Sequence, residues 1–157
     1  MVIIILGSKS DLDRGKEIGK YLKNFDIDFK MHIASAHKTP EHLLRILKKY
    51  ESNSNPLVYI CVAGRSNALG GFVDGNVSNP VINCPPYSEK YAGLDILSSL
   101  RMPSGISPMT VLESDQAAIA ALKILGCNTT KYKNKILAFQ KNLRDQLLKD
   151  DEEITVG

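Results

Sequence analysis

The tightest constraint on this chain is five residues long. Val2-Ile3-Ile4-Ile5-Leu6 is apolar at every position and stops at Gly7. A run this short cannot cross a bilayer as a helix, which takes roughly 20 apolar residues, and without a basic leader it does not read as a signal peptide. With no polar phase at all, it reads as a strand covered on both faces. Parallel sheets sandwiched between helices have such strands.

The rest of the chain repeats that theme. Ile27 to Ile33 is apolar at every second position, the period of a strand. Leu57 to Val62 and Val81 to Cys84 are further apolar runs, closed by Ala63-Gly64-Arg65-Ser66-Asn67 and by Pro85-Pro86. Between the runs lie helical spacings: Leu12, Gly15, Ile18, Leu22 and Phe25, then Leu43, Ile46, Leu47 and Tyr50. Thr39 suits the cap of the second helix and Pro40 its first position. Asn53 to Pro56 reads as a turn. A shorter helix is expected from about Ser66 to Gly75, although Gly70-Gly71 weaken it.

Tyr87 to Met109 is long and rich in Ser, Gly and Pro, with one short helix expected near Leu94 to Leu100. A connection this long inside a compact domain is usually functional. Thr110 to Leu112 reads as a short fifth strand. Ser114 then caps an Ala-rich helix, Gln116 to Leu125, which Gly126 ends. Finally Ile136, Phe139, Leu143 and Leu147 mark an amphipathic helix over about 131–149, which must bury its stripe on the domain or on another subunit. Asp150 to Glu153 reads as its solvated end.

Strand and helix alternate throughout, so the crossovers are right-handed and the sheet parallel. The expected fold is α/β: a three-layer, flavodoxin-like (Rossmann-like) parallel sheet with helices on both faces, plus the C-terminal amphipathic helix. At 157 residues this is one domain, 1–157, with its core at about 2–126. The turns after strands one to four then meet on one edge of the sheet, where open α/β sheets bind ligands.

The net charge of +3, with no basic cluster interleaved with aromatics, argues against nucleic acid as the main partner. Cys61, Cys84 and Cys127 are far apart and fit neither a zinc site nor a disulfide framework. Each reads as a small buried hydrophobe in a reducing, cytoplasmic setting. No metal, cofactor or membrane partner is expected.

Three turns carry the candidate chemistry. His37 and Lys38 sit between a strand end and a helix start, a titratable imidazole beside a fixed cation, and proton transfer near neutral pH most often falls to His. Ser8, Ser10 and Asp11 are good helix caps, and also good partners for an anion and for sugar hydroxyls at a helix start. Gly64 allows backbone to approach a ligand closely. Arg65 and Arg101 are loop cations for phosphate or for acidic side chains, and Ser66 and Asn67 are caps or ligand contacts. His32, on the polar phase of its strand, reads as partly exposed, and His42 falls in the first turn of the second helix; neither is singled out for this chemistry. Gly-Ser-Lys-Ser lacks the spacing of a phosphate-binding P-loop. The residues by themselves point to a domain that binds a small phosphorylated molecule.

Together, Gly7-Ser-Lys-Ser-Asp11, Ser35-Ala-His-Lys-Thr-Pro40, Ala63-Gly-Arg-Ser-Asn-Ala-Leu69 and Ser98-Ser-Leu-Arg-Met-Pro-Ser-Gly105 resemble the class II aminoimidazole ribonucleotide (AIR) carboxylases of purine biosynthesis. The likeness covers about residues 2 to 126. It implies reversible, cofactor-independent carboxylation of AIR by carbon dioxide, with His37 moving the proton. It also implies Ser8 and Asp11 at the ribose and phosphate, and Ser35 and Lys38 beside the base and phosphate. Gly64, Arg65 and Ser66 would close the far side. A homo-oligomer, tetramer or octamer, is implied as well, with the Ala-rich helix allowing subunits to approach closely. The class I mutases typically have Arg after the His and a second His where this chain has Ala68. That mutase activity is the alternative reading, and a noncatalytic nucleotide-binding module is a second.

Overall fold

The structure, a computed structural model, describes residues 1–52 and 55–155. Five parallel strands form one sheet in the order β2-β1-β3-β4-β5. They are β1 (Val2–Leu6), β2 (Phe29–Ile33), β3 (Val58–Val62), β4 (Val81–Asn83) and β5 (Met109–Thr110). The helices are α1 (Leu12–Asn24), α2 (Pro40–Glu51), α3 (Ala68–Asp74), α4 (Leu97–Leu100), α5 (Ser114–Gly126) and α6 (Thr130–Thr155). This is the flavodoxin-like strand order, whose switch point lies between β1 and β3.

Alternation along β1 and β3 separates two cores. Val2, Ile4, Leu6, Val58, Ile60 and Val62 face α1, α5 and Ile136 of α6. Ile3, Ile5, Tyr59 and Cys61 face α2 and α3. All five residues of β1 are fully buried, as a strand without a polar phase requires. β2 has only one neighbour, so its alternation yields partial burial, and Ile33 remains 47% exposed.

Several local expectations change. Thr39 precedes α2, but its hydroxyl closes the preceding turn and makes no cap bond. Ser114 begins α5 itself, with Glu113 at the cap position, and its hydroxyl donates to Glu17 Oε2 at 2.6 Å. Gly126 lies within α5, which continues to a right-handed Cys127 cap. Cys127 is exposed because it follows the helix end, unlike the buried Cys61 and Cys84. The small residues of α5 serve close packing inside the domain: Ala117, Ala118 and Ala121 are fully buried. Gly70 is required in α3, since a Cβ there would collide with the Asn83 carboxamide. The expected turn at Asn53 to Pro56 lies partly outside the described residues.

The C-terminal helix does two things. Its first half folds back, with Ile136 in the core and Phe139 edge-on to Phe25 at 5.4 Å, a geometry worth about 0.5–1.5 kcal/mol beyond burial. Its second half leaves Leu143, Leu147, Leu148 and Ile154 exposed. Asp150 to Glu153 are exposed as expected, yet helical. Among the described residues, no helix is long and apolar enough to cross a membrane.

Candidate active site

The turns after β1, β2, β3 and β4 surround one cleft of about 650 Å³ at the carboxyl edge of the sheet. The first turn is short and internally hydrogen-bonded. Gly7 N–H continues the sheet by donating to Val62 O, and Ser8 then opens a single 3-10 turn, Lys9–Asp11. Both the N–H and the hydroxyl of Ser8 donate to Asp11 Oδ2, at 2.9 and 3.0 Å, and Ser10 Oγ lies 2.6 Å from Ser8 Oγ. Asp11 is only 9% exposed. Burial, the largest influence, pushes its carboxyl above the ordinary value, while the Ser8 bonds and the Arg65 charge pull it back.

The second turn closes on itself in the same way. Ser35 N–H donates to Thr39 Oγ1 at 2.9 Å, Lys38 N–H to Ser35 Oγ at 3.2 Å, and Thr39 N–H to Ser35 O at 2.9 Å. Side-chain oxygens here take up backbone donors that the turn leaves over. With those groups satisfied internally, His37 and Lys38 stand exposed at the cleft wall. His32 lies elsewhere: its Nε2 is 2.8 Å from the Tyr50 hydroxyl, and burial lowers its basicity, with Lys49 and His42 adding to the effect.

The third turn is strained. Arg65 has φ of +59°, a left-handed conformation costing a residue with a Cβ about 1–2 kcal/mol. Gly64, Arg65 and Ser66 line the cleft. Asn67 does not. It is 3% exposed, its Oδ1 accepts from Gly70 N–H at 3.4 Å to open α3, and its Nδ2 donates to Ser99 Oγ at 2.9 Å. Its polar groups are committed to the scaffold, which corrects its expected place among the ligand contacts. Arg101 is exposed and lies outside the cleft lining.

Sequence reasoning missed three members of the cleft wall that follow the Pro85-Pro86 turn: Tyr87, Ser88 and Asp95. The signal available was the length of the Tyr87 to Met109 connection, which marks the segment as functional without singling out a residue. A smaller cavity of about 310 Å³ adjoins the cleft, sharing Pro86, Tyr87 and Asp95 with it and lined by Arg14 and Leu112.

The arrangement has a definite chemical character. Two cations, Lys38 and Arg65, and several hydroxyls suit a phosphate. A held carboxylate, Asp11, suits hydroxyl donors, and one imidazole suits a proton. The AIR carboxylase family model matches residues 1–146. The chain is 54% identical over 152 residues to a phosphoribosylaminoimidazole carboxylase from Archaeoglobus fulgidus, covering 97% of this chain and 83% of the relative. It is 45% identical over 154 residues to the enzyme of that name from Treponema denticola, covering 98% and 97%. The crystal structure of Treponema denticola PurE superposes with a TM-score of 0.94 at 45% identity, over 97% of this chain and 96% of that one. Sequence, fold and family model agree along nearly the whole length, and this chain belongs to the AIR carboxylase family.

Proposed function

We propose that this protein reversibly carboxylates AIR with carbon dioxide, giving the carboxylated imidazole ribonucleotide of purine biosynthesis. The observation that carries the reading is the convergence of Ser8, Asp11, His37, Lys38 and Arg65, from three separate turns, on one cleft. The cleft holds groups for phosphate, ribose and proton together.

The chemistry follows from the substrate. The amino group of AIR makes the adjacent ring carbon enamine-like, so its π electrons attack the carbon of carbon dioxide. A C–C bond forms, and the electron pair of one C=O bond moves to oxygen as carboxylate. The ring carbon then carries both the new carboxylate and a proton, and loss of that proton restores aromaticity. His37 takes the proton, and returns it in the reverse reaction, a role typically worth ~10²–10⁴-fold in rate. Asp11 accepts from ribose hydroxyls, beside Ser8 and Ser10. Lys38 and Ser35 flank the base and phosphate, Lys38 as a point charge. Gly64, Arg65 and Ser66 close the far side.

The exposed Leu143, Leu147, Leu148 and Ile154 support assembly as a homo-oligomer, tetramer or octamer. The buried, unpaired thiols of Cys61 and Cys84 fit a reducing cytoplasm. Ala68 opens α3 where a class I mutase carries its second histidine, which favours direct use of carbon dioxide.

Turnover of AIR with and without added bicarbonate, beside turnover of the N-carboxylated ribonucleotide, tests this reading. Activity on AIR that rises with carbon dioxide is expected. Activity confined to the N-carboxylated substrate would make the protein a mutase, and tight nucleotide binding without turnover would make it a binding module.

A further inference from the structure

The strained third turn is held from outside. Asp95, Ser98 and Ser99 fall at i, i+3 and i+4 where a single 3-10 turn, Leu94–Ile96, runs into α4, so their side chains share one face. All three reach the same short stretch. Asp95 Oδ2 accepts from Arg65 N–H at 2.7 Å, and Ser98 Oγ lies 2.6 Å from Arg65 O. Asn67 N–H donates to Ser98 Oγ at 3.0 Å, and Asn67 Nδ2 to Ser99 Oγ at 2.9 Å. The single Ser98 proton is shared between Arg65 O and Asp95 O, the latter at 2.7 Å. Thr110 Oγ1 donates to Ser99 O at 3.2 Å and ties the same segment to β5.

These contacts act on the two dihedrals that matter. The N–H of Arg65 belongs to the peptide plane that turns with φ, and its C=O to the plane that turns with ψ. Holding both fixes the residue in the left-handed region, which a side chain such as arginine rarely adopts unaided. A charged acceptor on the N–H is the stronger of the two holds. Arg65 itself lines the cleft, so its backbone angles decide where its guanidinium stands.

We propose that Asp95, Ser98 and Ser99 are positioning residues for the carboxylase reaction, a clamp that keeps Arg65 and the Gly64–Ser66 backbone in substrate-reading geometry. The inference rests on the carboxylase reading for its substrate. It gives the long segment after β4 a part in the site that its sequence does not disclose. Asp95 acts here as a hydrogen-bond acceptor to protein backbone and transfers no proton.

The test compares Asp95→Ala, Asp95→Asn and Ser98→Ala, alone and combined with Arg65→Ala. Asp95→Ala is expected to raise KM for AIR by about 10- to 100-fold with kcat within about threefold, the loss of a charge-assisted bond. Asp95→Asn keeps a carbonyl acceptor and stays within about threefold of wild type with an unchanged pH profile, and Ser98→Ala falls between at about three- to tenfold. In an Arg65→Ala background, Asp95→Ala costs less than about threefold more, because the group it positions is gone. Amide hydrogen exchange at Arg65 and Asn67 is read in the same proteins, and quickens by about tenfold or more in Asp95→Ala while α1 keeps its protection. Additive losses, unchanged exchange, or an Asp95→Asn enzyme as impaired as Asp95→Ala with a shifted pH profile would each overturn the clamp. If wild type fails to turn over AIR, the carboxylase reading falls by itself, and the exchange measurement still decides whether these side chains hold the turn.

Discussion

The two sides of the cleft are built by different means. On the β1 and β2 side, the turns at Ser8–Asp11 and Ser35–Thr39 satisfy themselves: the side-chain bonds that shape them join residues two to four apart. On the β3 side, the turn at Gly64–Asn67 is shaped by partners 30 to 33 positions away. The first side presents His37, Lys38 and Asp11 on frames that form with the adjacent strand and helix. The second presents Arg65 on a frame completed by side chains of the segment after β4. A self-contained turn is a fixed platform for chemistry, whereas a turn held by remote side chains can fail independently of the fold.

Substitutions test that contrast, beginning with the largest effect. On the self-contained side, His37→Asn should lower turnover by ~10²–10⁴-fold while affinity for AIR stays within about threefold, read by steady-state kinetics and calorimetry. A comparable loss of affinity would mean that His37 binds substrate instead of moving a proton. Lys38→Ala should weaken AIR binding by about 10- to 100-fold, since a charge-assisted phosphate contact is worth about 1.5–3 kcal/mol. Unchanged affinity would remove Lys38 from the phosphate site.

Smaller changes probe the frames themselves. Thr39→Val deletes the acceptor for Ser35 N–H at the cost of one neutral bond, so KM should rise only about two- to tenfold. A larger loss than that of Asp95→Ala would erase the distinction between the two sides. The smallest effect couples them. Arg65 holds the Asp11 carboxyl down against the burial that raises it, so Arg65→Ala should move Asp11 further up in a carbon-detected carboxyl titration. The sign for stability follows from proton binding. Because the folded value lies above the unfolded one, the native state binds more protons between the two, and stability falls as pH rises through that window. Asp11→Asn should flatten this part of the profile; a profile unchanged in that variant would show that burial does not oppose ionisation of Asp11.

The same contrast explains what could be read in advance. β1, α1 and α2 follow from apolar spacing within a dozen residues, and the meeting of the strand-end turns on one edge follows from their alternation. The presence of His37, Lys38 and Asp11 at the cleft is legible because local order puts them in strand-end turns, and the topology gathers those turns on one edge. Asn67 takes the cap role that its sequence position offers, while its neighbours Gly64, Arg65 and Ser66 line the cleft; what withdraws it from the cleft is Ser99, 32 residues away and beyond the reach of local patterns. Asp95 was invisible for the same reason: in the chain it looks like any acidic residue on a polar loop. Ser114 and Thr39 carry good cap chemistry, but a nearby Glu17 and an open Ser35 N–H compete for their hydroxyls, and tertiary geometry decides. The Ala-rich sequence of α5 specifies close packing without specifying the partner, which proved to be this domain's own core.

The most direct measurement is a crystal structure of the protein with AIR bound. The phosphate is expected against Lys38 and the Ser8–Ser10 turn, with ribose hydroxyls on Asp11, Arg65 across the nucleotide and the reacting ring carbon within about 3–3.5 Å of the His37 imidazole. A nucleotide seated in the smaller cavity beside Arg14, or one whose reacting carbon lies away from His37, would contradict these roles.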